Sequence, residues 1–355
     1  MSITGACAII ETLVLLGVDT VFGYPGGAVL PLYDALHQET RLRHILVRHE
    51  QAAVHAAEGY ARSTGQVGVV FVTSGPGMSN TTTGLLDAKC DSVPILCISG
   101  QVATHLIGTD AFQECDALGI SKPVTKWNAQ VRRINELVPL VCEGFTKALG
   151  GRPGPVLLDV PKDIQLSDIS VNTVVAQIKE GLERKYLFEA AKTTAYVDLV
   201  PSASLGQAVS LISAAKRPIV YGGGGLINSG DCAFAELRTF VEAIQAPCTL
   251  TLMGLGAFPA SHPDWLGMLG MHGTLEANLA MHHADLVICV GARFDDRVTG
   301  RLDRFCPEAN VIHIDVDPAS IDKLVPAAVR LVGDCGEVLR ALNLALESVG
   351  APPPP

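Results

Sequence analysis

The feature that most constrains the fold is an alternation of short apolar runs with longer amphipathic segments along most of the chain. The apolar runs, such as those at residues 67–73 and 286–290, are nearly continuous in aliphatic and β-branched residues. Strands of this kind are buried on both faces, which is typical of a parallel sheet covered by helices on each side. The sequence therefore predicts an α/β fold with doubly wound parallel sheets.

One interruption of this alternation predicts how the chain divides into domains. Residues 166–198 mix polar and β-branched residues without a clean period, which is typical of a linker between domains at 1–165 and 199–350. Two domains also suit 355 residues at about 100–200 residues each. The Ala-Pro-Pro-Pro-Pro tail at 351–355 is predicted to be frayed. The predicted strands are 20–23, 44–47, 67–73, 94–99, 124–127 and 156–160, then 219–221, 247–252, 286–290 and 311–315.

Composition excludes several classes of protein. The net charge is −10 and no Lys/Arg cluster is visible, whereas nucleic-acid binders usually carry a basic patch. The ten cysteines include no C-x-x-C pair, which argues against zinc and redox motifs and favours free thiols in a reducing cytoplasm. We see no signal peptide, no apolar run of about 18 residues and no G-x-S-x-G elbow. The sequence thus predicts a cytoplasmic protein without a membrane span.

Glu50 is the candidate acid–base residue. It follows a predicted strand and begins a predicted helix. A carboxylate there can simply compensate the helix dipole. It can also be a buried group that shuttles a proton during catalysis. Spacing alone leaves both interpretations open.

Glycine-rich turns follow three predicted strands. They contain Gly26-Gly27, the segment Ser74-Gly75-Pro76-Gly77 and the run 222–225. Such turns allow the backbone to approach a ligand at the carboxyl ends of the strands. None is a P-loop, and the run 222–225 has no clear G-x-G-x-x-G register. Ordinary βα turns remain the alternative.

Two polar loops complete the candidate set. Residues 108–114 (GTDAFQE) contain one aromatic and are otherwise typical of a solvated loop. Residues 293–297 (RFDDR) follow a predicted strand and would form either a surface salt-bridge cluster or a ligand site. A lone histidine such as His272 is more often structural than a ligand.

In their order along the chain, these strings resemble one family. The segments are GYPGGA at 23–28, RHEQAA at 48–53, TSGPG at 73–77, GTDAFQE at 108–114, GRPGP at 151–155, PKD at 161–163, LMGLG at 252–256, GMHG at 270–273 and RFDDRVT at 293–299. They closely resemble the thiamine-diphosphate enzymes, and in particular the catalytic subunits of acetolactate synthase (acetohydroxyacid synthase). The resemblance extends from residue 1 to about residue 348.

This resemblance implies two of the family's three domains. Residues 1–165 would be the pyrimidine-binding domain, and 199–350 a Rossmann-like central domain that holds FAD. The third domain of the family carries Gly-Asp-Gly and an Asn pair that ligate Mg²⁺ and the diphosphate. The Gly-Asp pairs here, Gly230-Asp231 and Gly333-Asp334, are each followed by Cys. We therefore expect the Mg²⁺ and diphosphate ligands to be absent from this chain, and we predict no metal ligand in it.

The resemblance also implies residue roles. Glu50 would hydrogen-bond the pyrimidine N1′ of thiamine diphosphate. The pyrimidine end would be lined by Tyr24, Pro25, Gly26, Thr73, Pro76, Gly77 and Asn80. The substrate channel would be bordered by Gly27, Phe112, Gln113 and Lys162. FAD would contact Arg152, Gly222, Gly223, Thr251, Leu252, Met253, His272, Gly273, Thr274, Gly291, Arg293, Asp296, Arg297, Asp315 and Asp334.

The implied activity is a transferase reaction that condenses two pyruvates, or pyruvate with 2-oxobutyrate, with loss of CO₂. It is the first common step of isoleucine and valine biosynthesis. Implied partners are a second copy or a complementing chain, and a regulatory small subunit. Two alternatives remain open at this stage: a non-catalytic, truncated chain that binds FAD and a partner, and another thiamine-dependent 2-oxo acid decarboxylase. Glyoxylate carboligase resembles the family but lacks a carboxylate at the position of Glu50.

Overall fold

Each half of the chain folds around one six-stranded sheet in which all neighbouring strands are parallel. The computed structural model describes residues 1–199 and 201–350, and it divides into two units, Met1–Phe188 and Glu189–Pro355. Separate apolar cores lie on the two faces of each sheet. The predicted α/β fold with doubly wound parallel sheets is confirmed.

The first unit contains eight strands and the helices between them. The strands are β1 Ser2–Thr4, β2 Thr20–Gly23, β3 Arg43–Leu46, β4 Gly68–Val72, β5 Ile95–Gln101, β6 Trp127–Gln130, β7 Pro155–Pro161 and β8 Asp168–Ser170. The helices are α1 Gly5–Leu15, α2 Leu30–Gln38, α3 Glu50–Thr64, α4 Pro76–Ser79, α5 Thr82–Asp91, α6 Ala117–Ser121, α7 Leu137–Leu149 and α8 Lys162–Leu166. Helix α9, Val171–Leu199, begins in this unit and continues beyond its last residue, Phe188. Strands β1 and β8 form a separate antiparallel pair.

The second unit repeats this plan with fewer elements. Its strands are β9 Pro218–Gly222, β10 Cys248–Leu250, β11 Trp265–Met268, β12 Leu286–Val290, β13 Asn310–Asp315 and β14 Val329–Val332. Its helices are α10 Ser202–Ala214, α11 Gly224–Ser229, α12 Asp231–Ile244, α13 Leu275–His283, α14 Asp296–Thr299 and α15 Cys335–Val349. No described helix is both long enough and apolar enough to cross a membrane.

The order of the strands creates one switch point in each sheet. The first sheet has the strand order β3-β2-β4-β5-β7-β6. Strand β3 therefore lies on one side of β2, and β4, the next strand along the chain, lies on the other side. The second runs β11-β10-β9-β12-β13-β14, and its order reverses between β9 and β12. Ligands of open α/β sheets bind in the crevice outside the carboxyl ends of the strands at such a point.

Several boundaries differ from those that the sequence predicts. The strand predicted at 124–127 lies at Trp127–Gln130, because polar residues alternate on this half-exposed edge strand. Edge strands β11 and β14 were not predicted, since both are short and only partly buried. A helix predicted at 79–88 is two helices, α4 and α5.

The segment predicted as a linker is ordered and begins inside the first unit. Its residues 166–198 include β8, which pairs with β1, and helix α9. Val174 and Ile178 of α9 are buried in the core of that unit. The structural division at 188/189 lies within the segment 166–198 that the sequence predicts as the connection between the two domains. The predicted frayed tail, 351–355, lies outside the described residues.

Two glycines of the first unit give opposite predictions for stability. A Cβ on Gly68 of β4 would lie 2.5 Å from the Ala57 carbonyl oxygen, whereas one on Gly59 of α3 would meet nothing within 4 Å. We expect Gly68→Ala to lower the free energy of unfolding by about 1–3 kcal/mol. Gly59→Ala should raise it by about 0.5–1 kcal/mol, because alanine favours the helix. Urea unfolding of both variants tests this pair, and equal shifts of the same sign would contradict it.

Candidate functional site

Glu50 lies at the beginning of α3, at the carboxyl end of β3. The His49 side chain caps the helix by accepting the Gln51 amide at 3.2 Å. The Glu50 side chain is only 8% exposed, and Asn80 Nδ2 donates to its Oε2 at 2.9 Å. Compensation of the helix dipole requires neither this burial nor a partner from the end of α4. This position therefore suits a carboxylate that a hydrogen bond keeps in one orientation and that faces a ligand.

Thr73 joins the two glycine-rich turns at the switch point of the first sheet. The Ala28 amide donates to Thr73 Oγ1 at 3.2 Å. A Cβ on Gly26 would lie 2.5 Å from Thr73 Cβ, and one on Gly77 would lie 2.6 Å from Thr73 Cγ2. Glycine at 26 and 77 thus lets the β2 and β4 turns close over the threonine.

Gly77 also keeps one oxygen of Glu50 uncovered. A Cβ on Gly77 would lie 3.4 Å from Glu50 Oε1. Asn80 donates its hydrogen bond to the other carboxylate oxygen of Glu50, Oε2. The turn therefore leaves space beside a carboxylate oxygen that can accept a hydrogen bond. A carboxyl oxygen in this position fits a ring nitrogen of a flat, polar ring such as the pyrimidine of thiamine diphosphate.

Tyr33 is a residue of this site that the sequence analysis missed. Its hydroxyl donates to the Phe71 carbonyl at 3.3 Å, beside the end of β4. Burial raises the pKa of the Tyr33 hydroxyl, and the negative charge of Glu50 raises it further. Tyr33 lies on α2 outside any recognised motif, which explains why it cannot be identified from the sequence.

The loop 108–114 is held by its own final residue. The Glu114 carboxylate accepts the Gly108 amide and, at 3.1 Å, the Ala111 amide. These backbone donors, led by Gly108, lower the pKa of the Glu114 carboxyl. Gln113 adopts φ +60°, and Phe112 at the tip is 88% exposed. The loop is thus an ordered turn that holds an aromatic side chain in solvent.

We predict that Glu114→Gln makes the amides of residues 108–114 exchange faster with solvent at neutral pH. The lowered pKa means that the carboxylate orders the loop above its unfolded-state pKa, and this contribution is lost as the pH falls through the folded-state pKa. The difference from the wild type should therefore shrink at low pH. Asp110→Asn is the matched control, because it removes a charge from the same loop but leaves Glu114 in place. Equal exchange in wild type and Glu114→Gln would contradict the prediction.

The remaining predicted residues of the first unit are spread along the same edge of the sheet. Tyr24 and Pro25 follow β2, and the Tyr24 amide donates to the Phe71 carbonyl at 3.2 Å. Gly27 begins a 3₁₀ turn, and Pro76 begins α4. Lys162 begins α8, after β7, and is two strands away from β4 in the sheet. In the described residues, neither Lys162 nor Phe112 has a hydrogen bond or ion pair with Glu50.

In the second unit, the predicted flavin residues lie at the carboxyl ends of the strands. Gly222 ends β9 and Gly223 follows it, and a Cβ on Gly223 would lie 2.5 Å from the carbonyl oxygen of Gly291, which follows β12. Because these glycines have no side chain, the two turns can pack closely against each other. The others at this edge are Thr251, Leu252 and Met253 after β10, His272, Gly273 and Thr274 after β11, Arg293, Asp296 and Arg297 after β12, Asp315 in β13 and Asp334 after β14.

Several of these side chains already have structural roles. Asp334 caps α15 by accepting the Gly336 and Glu337 amides, and Ser229 Oγ donates to it at 2.5 Å. Thr274 caps α13. Arg152 lies in the first unit, where its Nε donates to Ser92 Oγ at 2.8 Å. The edge also has exposed apolar side chains, Leu252, Met271 and Leu275, and Arg297 Nη1 lies 3.6 Å from Met271 Sδ. Apolar side chains beside guanidinium groups fit a flat ligand that carries phosphates.

Comparison with known proteins gives matches to two domains of one enzyme family. Residues 3–120 match the family described as thiamine pyrophosphate enzyme, N-terminal TPP binding domain, and residues 205–342 match its central domain. The chain is 47% identical over 355 residues to the acetolactate synthase isozyme 3 large subunit of Escherichia coli (strain K12), covering 99% of this chain and 59% of that protein. It is 49% identical over 337 residues to the acetolactate synthase large subunit of Haemophilus influenzae, covering 95% and 57%. It is 47% identical over 342 residues to a probable acetolactate synthase large subunit of Methanocaldococcus jannaschii, covering 96% and 56%. The chain thus spans less than two thirds of the length of these relatives.

Proposed function

Since this chain belongs to the thiamine pyrophosphate enzyme family, we propose that it supplies the pyrimidine-binding and flavin-binding parts of an acetolactate synthase. The reaction would join pyruvate to a second 2-oxo acid, pyruvate or 2-oxobutyrate, with loss of CO₂. The 47% sequence identity to an acetolactate synthase large subunit over 99% of this chain supports this choice of reaction. Isoleucine and valine biosynthesis is the pathway that this reaction would serve.

The observation that carries the proposal is the buried Glu50 carboxylate beside the two glycine turns. Thiamine diphosphate, when bound, supplies the electron sink that lets a 2-oxo acid lose CO₂. Glu50 would hold and move a proton at its free oxygen, and Asn80 would fix the orientation of that carboxylate. Gly26, Thr73 and Gly77 would shape the wall of the pocket. Phe112, Gln113 and Lys162 would border the path of the 2-oxo acid, with Lys162 as an attractive charge for its carboxylate.

An assay of the assembled protein, meaning this chain together with a second copy or its complementing chain, tests this function. The protein is supplied with thiamine diphosphate, Mg²⁺, FAD and pyruvate, and the acetolactate formed is measured. We expect acetolactate that disappears when thiamine diphosphate is omitted. Acetaldehyde with CO₂ would instead identify a decarboxylase, and no turnover in any assembly would identify a non-catalytic, partner-binding chain.

We further propose that the second unit binds FAD at the carboxyl edge of its sheet. The switch point between β9 and β12, the exposed apolar side chains and the arginines support this assignment. We predict that the purified protein is yellow and that Arg293→Gln lowers the flavin absorbance per chain. Arg238→Gln on α12, an exposed arginine paired with Glu242, should leave the absorbance unchanged. A colourless protein that takes up no added FAD would contradict this part of the proposal.

A further inference from the structure

Asp159 is a buried carboxylate that the proposed chemistry does not use. It lies in β7, within a run of otherwise apolar residues, and is 0% exposed. Ser99 Oγ donates to its Oδ1 at 2.8 Å. Gln101 Nε2 and Gln130 Nε2 donate to its Oδ2 at 3.1 and 2.9 Å. Three side-chain donors from both neighbouring strands satisfy this carboxylate, so the orientation of each donor depends on it.

Gln101 connects this carboxylate to the loop of the site. The Gln101 Nε2 group also donates to the Cys115 carbonyl at 2.9 Å. Its Oε1 accepts the Val102 amide at 2.9 Å, which fixes the plane of the side-chain amide. The amide therefore has one orientation, in which one nitrogen serves both Asp159 and Cys115.

Cys115 in turn contacts the glycine-rich turn after β4. Burial raises the pKa of the Cys115 thiol, and the nearby Gly75 backbone partly offsets this rise. A Cβ on Gly75, where φ is +57°, would lie 2.8 Å from the Gln113 carbonyl oxygen. The loop that carries Gln113 is thus packed directly on the turn that continues to Gly77, next to Glu50.

We propose that Asp159 is the positioning residue of this site: through Gln101 it holds Cys115, and so keeps the 108–114 loop against the Gly75 turn. In this role, Asp159 acts through Gln101 and touches neither substrate nor cofactor. The role in turnover rests on the proposed function, because that function makes Gln113 and Phe112 a border of the substrate path. The mechanical part of the inference, that Asp159 orders the loop, stands on the hydrogen bonds alone.

The ionisation of Asp159 gives this connection a dependence on pH. Burial raises the pKa of Asp159 to about 6, against the hydrogen bonds from Gln130, Ser99 and Gln101, and the nearby Asp116 charge raises it further. The thiols of Cys97 and Cys115, which also face it, have pKa values raised by burial and stay neutral. Below about pH 6 the protonated group has less capacity to accept both glutamine amides. The loop should therefore loosen as the pH falls.

Amide hydrogen exchange of residues 108–116 in the full chain tests the inference, with a matched pair of variants. Gln101→Leu and Gln130→Leu each remove one amide donor from Asp159 Oδ2, but only Gln101 also contacts the loop. We expect exchange about fivefold faster in Gln101→Leu and in Asp159→Asn, which corresponds to the loss of one typical hydrogen bond. Gln130→Leu should leave the loop at the wild-type rate. Equal acceleration by Gln101→Leu and Gln130→Leu would overturn the proposal, because it would show general destabilisation only.

The pH profile supplies a readout that a purely structural role would not move. After correction for intrinsic exchange, the wild-type loop should loosen with a midpoint near pH 6, and Asp159→Asn should remove this midpoint. A midpoint that persists in Asp159→Asn would overturn the assignment to Asp159. In the assembled enzyme, Gln101→Leu should raise KM for pyruvate more than it lowers kcat. If the wild type forms no acetolactate, the exchange results still decide the role of Asp159, so the two failures are distinguishable.

Discussion

Replacement of Glu50 by glutamine should lower acetolactate formation by the assembled enzyme about 10²–10⁴-fold, the usual contribution of a positioned acid or base. Glutamine keeps the size of the side chain, and its amide oxygen can still accept the hydrogen bond from Asn80. It cannot take up and release a proton as a carboxylate does. The loss should therefore appear in turnover, while the fold of the first unit is preserved.

Two controls separate this effect from general damage. Glu143→Gln changes an exposed glutamate on α7 in the same unit and should leave turnover unchanged. The flavin absorbance of Glu50→Gln should equal that of the wild type, because we place FAD in the second unit. If Glu50→Gln keeps the wild-type turnover, the assignment of proton transfer to Glu50 is wrong.

Replacement by alanine should affect two phenylalanines of the first unit in different ways: it should lower stability at Phe71 and activity at Phe112. Phe71 lies in β4, is 0% exposed and packs edge-on against Tyr33. We expect Phe71→Ala to lower the free energy of unfolding of the first unit by about 3–5 kcal/mol. Phe112, at the tip of its loop, should change stability by less than about 0.5 kcal/mol when truncated. Phe112→Ala should instead lower carboligation about tenfold or more, since it removes an apolar contact on the proposed substrate path.

Urea unfolding and the acetolactate assay, applied to both variants, measure these effects. The two variants serve as controls for each other, because each removes one aromatic ring from the same unit. A large stability loss in Phe112→Ala would mean that the loop is part of the core. Full activity in Phe112→Ala would remove that residue from the substrate path.

The sequence predicted the fold well where strands are buried on both faces. Strand β12 was predicted with its observed bounds, and β2 likewise, because an apolar run between polar segments has few other interpretations. The edge strand β14 alternates buried and exposed residues over only four positions, so its pattern was too short to identify. The scattered apolar residues of helix α9 predict a linker, although Val174 and Ile178 reach the core.

For the site, residue strings located the turns but not the side chains that hold them. Glu50, Thr73, Gly77 and Asn80 were predicted together, and the structure brings them into contact. Tyr33 lies outside any motif and becomes visible only when α2 packs beside β4. Asp159 did leave a signal, a single acid within an apolar strand, which indicates a buried group with dedicated donors. Its partners Gln101 and Gln130 could not be identified before the strand order was known.

The most direct test of the central claim is an experimental structure of the assembled enzyme with thiamine diphosphate bound. We expect the Glu50 carboxylate to lie within hydrogen-bonding distance of a ring nitrogen of the pyrimidine, between the Gly26 and Gly77 turns. A pyrimidine bound elsewhere, or a Glu50 side chain turned away from it into solvent, would contradict the account.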